Sequence, residues 1–142
     1  MGMLLECAHA AAKGRNVLRC LVVDDNRDGA TSLGAYLSIL GAHVRVVFSG
    51  SEAIEIAPAF RPQLVVLDIN MPGLNGFETA ERLKLQAWSA AAIFVAHTAS
   101  HAFRRAAAAA GFHHFLVKGG SIADFDAIVA HLLIGNGRQL GC

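Results

Sequence analysis

The sequence is short of charge. Only 16% of its 142 residues are Asp, Glu, Lys or Arg, against 54% hydrophobic, and the formal net charge is +1. So apolar a composition excludes intrinsic disorder, which requires low hydrophobicity and high net charge. No Lys/Arg run is long enough to follow a phosphate backbone, which argues against direct nucleic-acid binding and leaves proteins as the expected partners. Cysteine is scarce too. Cys7, Cys20 and Cys142 are too few and too scattered for a disulfide framework or a zinc site, and Cys20 lies within an apolar run. No apolar run approaches the roughly 18 residues that a membrane span needs. The opening "MGMLLECAHAAAKGRN" has no basic leader, and Glu6 cuts its apolar stretch. A protein of the reducing cytoplasm, with no membrane segment, is the expectation. The length suits one domain, and no internal repeat is present.

What the sequence does contain is a strict alternation. Apolar, strand-forming runs occur at "LRCLVV" (18–23), "HVRVVF" (43–48), "QLVVL" (63–67), "AAIFVAH" (91–97) and "HHFLV" (113–117). Helical spacing lies between them. Ala30, Leu33, Leu37 and Leu40 share one face and stop at Gly41, a natural C-terminal cap. Ser49 with Glu52 reads as a capping box for a second helix ending before Pro58 or soon after it. Phe77 to Gln86 forms a third, the alanine-rich "AFRRAAAAAG" a fourth closed by Gly111, and "SIADFDAIVAHLL" a fifth, with Ile122, Phe125, Ile128, Val129 and Leu132 inward. Strands that are apolar nearly throughout imply a parallel sheet covered on both faces, an α/β doubly wound sandwich. Residues 1–17 and 135–142 carry no periodic pattern and are expected to be flexible tails around a domain of residues 18–134.

Four of the five strands end in a polar residue: Asp24 and Asp25, Asp68, Thr98, and Lys118. In an open parallel sheet all carboxyl ends share one edge, and ligands bind there where the strand order reverses. Setting the second strand at the rim and the first beside the third brings both acidic ends to that reversal, which yields the order 2-1-3-4-5. Three carboxylates in one cleft repel each other unless a cation joins them. A hard divalent ion such as Mg²⁺ takes one or two carboxylates and leaves room for a phosphoryl group. Lys118 adds a fixed positive charge and Thr98 a hydroxyl, the equipment needed when charge spreads over three phosphoryl oxygens, and an aspartate beside them can be the nucleophile. Met71, Pro72, Gly73 and Gly76 form a stiff turn after Asp68 that lets a backbone carbonyl near Asn70 face the metal.

The segments "LVVDDN", "VVLDINMPGLNGFE", "AHTA" and "GFHHFLVKG", in this order, resemble the receiver domain of two-component response regulators, from about residue 18 to about 134. The resemblance implies a (βα)5 flavodoxin-like fold and a phosphoacceptor at Asp68, loaded by a histidine kinase or a histidine phosphotransfer protein. It implies that Asp25, Asp68 and the main-chain oxygen of Asn70 bind Mg²⁺, with Asp24 acting through water. Thr98 and Lys118 would ligate the phosphoryl oxygens, and Phe115 matches the family's aromatic switch residue. Such a domain is a signalling phosphoacceptor, assisting its own phosphorylation and dephosphorylation, rather than an enzyme. Its phosphorylation would shift a population toward a changed surface on the fourth helix, fifth strand and fifth helix, where a downstream protein docks.

Two residues depart from the family pattern. Receivers usually follow the lysine with a cis proline, whereas Gly119 and Gly120 stand here; a non-proline cis bond costs roughly 2.5 to 4 kcal/mol, so a trans bond or a mobile loop is expected. His97 replaces a commonly apolar residue; it could pack neutral with one hydrogen bond or titrate near neutrality. Blander readings stand beside these. Asp24 and Asp25 by themselves would cap the next helix; Asp68 in the same cleft reverses that. Phe115 is either core or switch. His97, His101, His113 and His114 fit no metal-site spacing and read as surface residues. Arg104 and Arg105 read as a solvated helix face. Two other functions are weighed: a decayed, phosphorylation-independent interaction receiver, and a metal-dependent phosphatase, which needs a second aspartate where Asn70 stands.

Overall fold

The computed structural model describes residues 17 to 139. Among these, five strands, β1 (Arg19–Val23), β2 (His43–Val47), β3 (Leu64–Leu67), β4 (Ile93–Thr98) and β5 (His114–Val117), alternate with five helices, α1 (Arg27–Ile39), α2 (Gly50–Phe60), α3 (Gly76–Leu83), α4 (Arg104–Ala109) and α5 (Ala123–Gln139). All strand pairs are parallel, in the order β2-β1-β3-β4-β5. The doubly wound expectation and its strand order are met.

The sheet buries both faces. On one side Leu21, Val23, Val65, Leu67, Phe94 and Ala96 pack under α2, α3 and α4; on the other Cys20, Val22, Leu64, Val66 and Val95 pack under α1 and α5. Consecutive residues of a strand point to opposite faces, so central strands had to be apolar at every position. Strand β2, at the rim, alternates exposed and partly buried residues until Val47. Ile122, expected on the inner face of the last helix, instead precedes it and is half exposed. Cys20 is buried, and burial pushes its thiol pKa well up, leaving it inert.

Caps decide where the helices begin. Asn26 caps α1, its side chain accepting from the Gly29 amide at 3.1 Å, so the aspartates before it are released from that duty. Ser49 caps α2 by accepting from the Glu52 amide, but the Glu52 carboxylate meets the Ser49 hydroxyl rather than its amide, so the expected box is half made. The full capping box lies at Asn75 and Glu78, opening α3 one residue earlier than its apolar spacing suggests. Pro58 sits within the last turn of α2, which ends at Arg61 in the left-handed conformation. The fourth helical stretch divides into a 3-10 turn (His101–Phe103), started by the Ser100 hydroxyl accepting from Ala102, and the short α4. Helix α5 continues past residue 134 to Gln139: Gly135 and Gly137 weaken a helix by about 1 kcal/mol each but do not forbid it. The tail expected at 1–17 lies, apart from Val17, outside the described residues, as do residues 140–142 of the other.

Gly76 is required by contact. A Cβ there would lie 2.4 Å from the Asp68 carbonyl oxygen and 2.6 Å from the Ile69 Cα, both backbone atoms that cannot swing aside. Gly76→Ala should therefore lower stability by about 1–3 kcal/mol, as overpacking does, read from the urea midpoint. Gly29→Ala, whose Cβ would meet nothing nearer than 3.4 Å, is the control and should be neutral or stabilising.

Candidate functional site

The carboxyl edge of the sheet carries the polar strand ends together. The Asp68 amide donates to the Val23 carbonyl at 2.9 Å and the Asp24 amide to the Val47 carbonyl at 3.2 Å, so both acids extend the ladder by one residue before the chain leaves it. Asp24 and Asp68 are each only 5% exposed, whereas Asp25 is exposed. One carboxylate oxygen from each of the three lies within 4.8 Å of the others. Lys118, continuing β5, donates its amide to the Thr98 carbonyl at 2.8 Å and sends its ammonium across the cleft, 2.7 Å from Asp24 and 3.0 Å from Asp68. Thr98 is buried at the end of β4. Asn70 donates its amide to the Asp68 carboxylate at 3.3 Å, a local turn that orients both.

Three acids against one ammonium leave the pocket negative. Burial lifts the Asp68 carboxyl above its ordinary range; Lys118 pulls it back and Asp24 raises it further. Burial also draws Lys118 down, but its two carboxylate partners outweigh that and hold its pKa above the usual lysine value. Among the described residues this is the one group of three or more acids, histidines or cysteines close enough to share a metal ion, and its all-oxygen donor set suits a hard cation.

Of the residues singled out in the sequence, Asp24, Asp25, Asp68, Asn70, Thr98 and Lys118 meet at this edge. Phe115 is half buried on β5 and packs against the core that holds Phe94 and Phe112, and the Arg104 guanidinium lies 4.8 Å over its ring. That stack had no signal in the sequence, since nothing local relates residue 104 to residue 115. No cis peptide bond occurs among the described residues, as expected without the proline, and Gly119 takes a φ of +84°. Lys118 is well aimed without it.

His97 takes the packed, neutral alternative, which corrects its reading as a surface residue. Half buried, it stands edge-on to Phe125, with ring centroids 5.2 Å apart, and burial together with the nearby Lys118 ammonium pushes its pKa down to about 4. It is neither a surface residue nor a group that titrates near neutrality. His113 is exposed as expected, but its Nδ1 accepts the Phe94 amide at 2.9 Å, replacing a strand partner where β5 has not yet begun.

A parallel five-stranded sandwich with an acidic, lysine-bridged pocket at its carboxyl edge defines the class, and the comparisons with known proteins agree. Residues 20–130 match the response regulator receiver domain, so the chain belongs to that family. It is 36% identical over 115 residues to the transcriptional regulatory protein PrrA of Mycobacterium leprae, covering 81% of this chain and 49% of the relative. It thus spans about half the length of that relative. A receiver domain of a sensor histidine kinase from Pseudomonas aeruginosa PAO1, solved with a magnesium ion coordinated in its active-site cleft, shares 25% identity with a TM-score of 0.74, covering 82% of this chain and 98% of its own. The chemotaxis protein CheY4 of Vibrio cholerae superposes with a TM-score of 0.75 at 23% identity over 82% of this chain and 98% of its own.

Two expectations follow from the electrostatics. An acid whose folded pKa is raised is destabilising when ionised: the effect is absent below the ordinary value of 3.8, grows as pH rises through the raised pKa, and stays constant above it. In metal-free buffer Asp68→Asn should therefore raise the thermal midpoint at pH 7, a gain that vanishes in acid; an unchanged or lower midpoint at pH 7 would refute it. For His97, a base with a depressed pKa, stability is full above 6.5 and is lost as pH falls toward about 4. His97→Gln should lose less stability than the parent over that interval in paired denaturation curves.

Proposed function

We propose that this receiver accepts a phosphoryl group on Asp68 from a phosphohistidine of a histidine kinase or a histidine phosphotransfer protein. The observation that carries the reading is the convergence of the Asp68 carboxylate, the Lys118 ammonium and two further carboxylates at one sheet edge. In the transfer, an Asp68 oxygen forms a bond to phosphorus as the P–N bond breaks, and the departing imidazole keeps the electron pair. Lys118, already beside Asp68, neutralises charge on a phosphoryl oxygen, and the Thr98 hydroxyl donates to another. Asp25, Asp68 and the main-chain oxygen of Asn70 would hold Mg²⁺, with Asp24 acting through water. The bound ion would supply further charge neutralisation for the phosphoryl group. The donor set here and the magnesium of the Pseudomonas receiver support that assignment.

The domain acts as a signalling phosphoacceptor and not as a turnover enzyme; Asn70 stands where an aspartyl phosphatase needs a general acid. Phosphorylation draws Thr98 inward, Phe115 follows, and the surface of α4, β5 and α5 changes for a downstream protein. No helix among the described residues is long and apolar enough to cross a membrane, and we place the protein in the cytoplasm, where such kinases phosphorylate their regulators. A decayed, phosphorylation-independent receiver draws no support from the pocket, since Lys118 reaches both carboxylates although Gly119 follows it.

Incubation with acetyl phosphate and Mg²⁺ should add the mass of one phosphoryl group, and Asp68→Asn should abolish the gain. Absence of labelling in the parent protein would overturn the proposal. Mg²⁺ alone should raise the melting temperature of the parent more than that of Asp68→Asn, because a ligand that binds only the folded state stabilises it by an amount that grows with the logarithm of its concentration over Kd; equal responses would remove the metal from the Asp68 site.

A further inference from the structure

Helix α4 differs in charge from the other four. Asp28, Glu52, Glu78, and Asp124 with Asp126 stand in the first turns of α1, α2, α3 and α5, the end where a helix dipole favours anions. Helix α4 opens instead with Arg104 and Arg105, and from Arg82 to Ala123 the sequence holds no aspartate or glutamate at all. Both arginines are exposed, and among the described residues neither has a carboxylate partner. Two cations set against a helix dipole with nothing to balance them weaken the fold locally, and such conflicts mark functional positions.

The surface around them is shaped for contact. Ala107 is the one buried residue of α4, so the other alanines leave a low face. Between α4 and the edge strand β5 lies an open hollow of about 190 Å³, floored by Ala107, Phe112 and Phe115 and rimmed by Arg104, His113 and His114. Arg104 rests on the Phe115 ring, which orders its guanidinium while leaving donors free for a bidentate carboxylate. Lys84, the cation nearest the other end of α4, is engaged with the carbonyls of Ala110 and Gly111 at 3.1 and 2.8 Å.

We propose that the α4–β5 face docks an acidic protein segment, whose carboxylates pair with Arg104 and Arg105 and whose apolar side chain enters the hollow beside them. This deepens the reading of the face as the output surface by naming the chemistry of the partner. A binder there displaces no intramolecular ion pair, and opposite charge speeds its approach. Two neighbouring arginines on a six-residue helix neutralise too few phosphates to favour nucleic acid.

The test is fluorescence anisotropy with a labelled peptide repeating Glu-Glu-Leu-Leu, its charge-reversed Lys-Lys-Leu-Leu counterpart and a short DNA duplex, on unphosphorylated protein. The acidic peptide should bind about tenfold or more tighter than the basic one, a difference of about 1.4 kcal/mol, and should weaken as salt is added. The double substitution Arg104→Glu, Arg105→Glu should abolish that preference, while Arg45→Glu on the opposite edge strand leaves it intact. Equal binding of both peptides, retention by the double variant, or a preference for the duplex would overturn the proposal. Because the acetyl phosphate labelling of Asp68 is read separately by mass, either result can fail without the other.

Discussion

The interaction on which the rest depends is the Lys118 ammonium held between Asp24 and Asp68 at 2.7 and 3.0 Å. Burying two carboxylates side by side is costly, because each loses solvation and each repels the other. The ammonium offsets part of that cost, and its own burial is offset by having two partners rather than one. The compensation is incomplete, since the exposed Asp25 brings a third negative charge within 4.8 Å. A pocket left negative at the open edge of a sheet suits a hard cation, and the lysine beside the aspartate is the group that the proposed phosphoryl transfer would use.

Much of the remaining structure serves to present that pocket. Both faces of the central strands are buried, so their ends are fixed by core packing rather than by the loops. Asn26 takes over the capping of α1, which leaves Asp24 and Asp25 out of the cap, and Asn75 with Glu78 opens α3. Gly76 lets the turn after β3 close onto the Asp68 backbone, its amide donating to the Ile69 carbonyl at 2.8 Å. The two departures from the family pattern fit the same scheme. Gly119 takes a positive φ that a proline could not adopt, yet Lys118 still reaches the acids. His97, near the Lys118 ammonium, stays neutral edge-on to Phe125 and adds no competing charge to the pocket.

The sequence by itself determined the alternation of elements, the parallel sheet and its order, and the set of polar residues at the strand ends, because periodicity and strand-end polarity are written along the chain. It also carries, in "NGFE", the capping box that opens α3. The contacts were decided only by tertiary structure. Lys118 and Asp68 are 50 positions apart and Tyr36 donates to Asp126 across 90, separations over which no local pattern reports distance. The same holds for the neutral His97, whose titration depends on what buries it, and for Arg104 on Phe115, where a surface arginine in the sequence becomes an ordered one in space. Local chemistry names the groups; the dielectric around each and the distance between them exist only once the chain has folded.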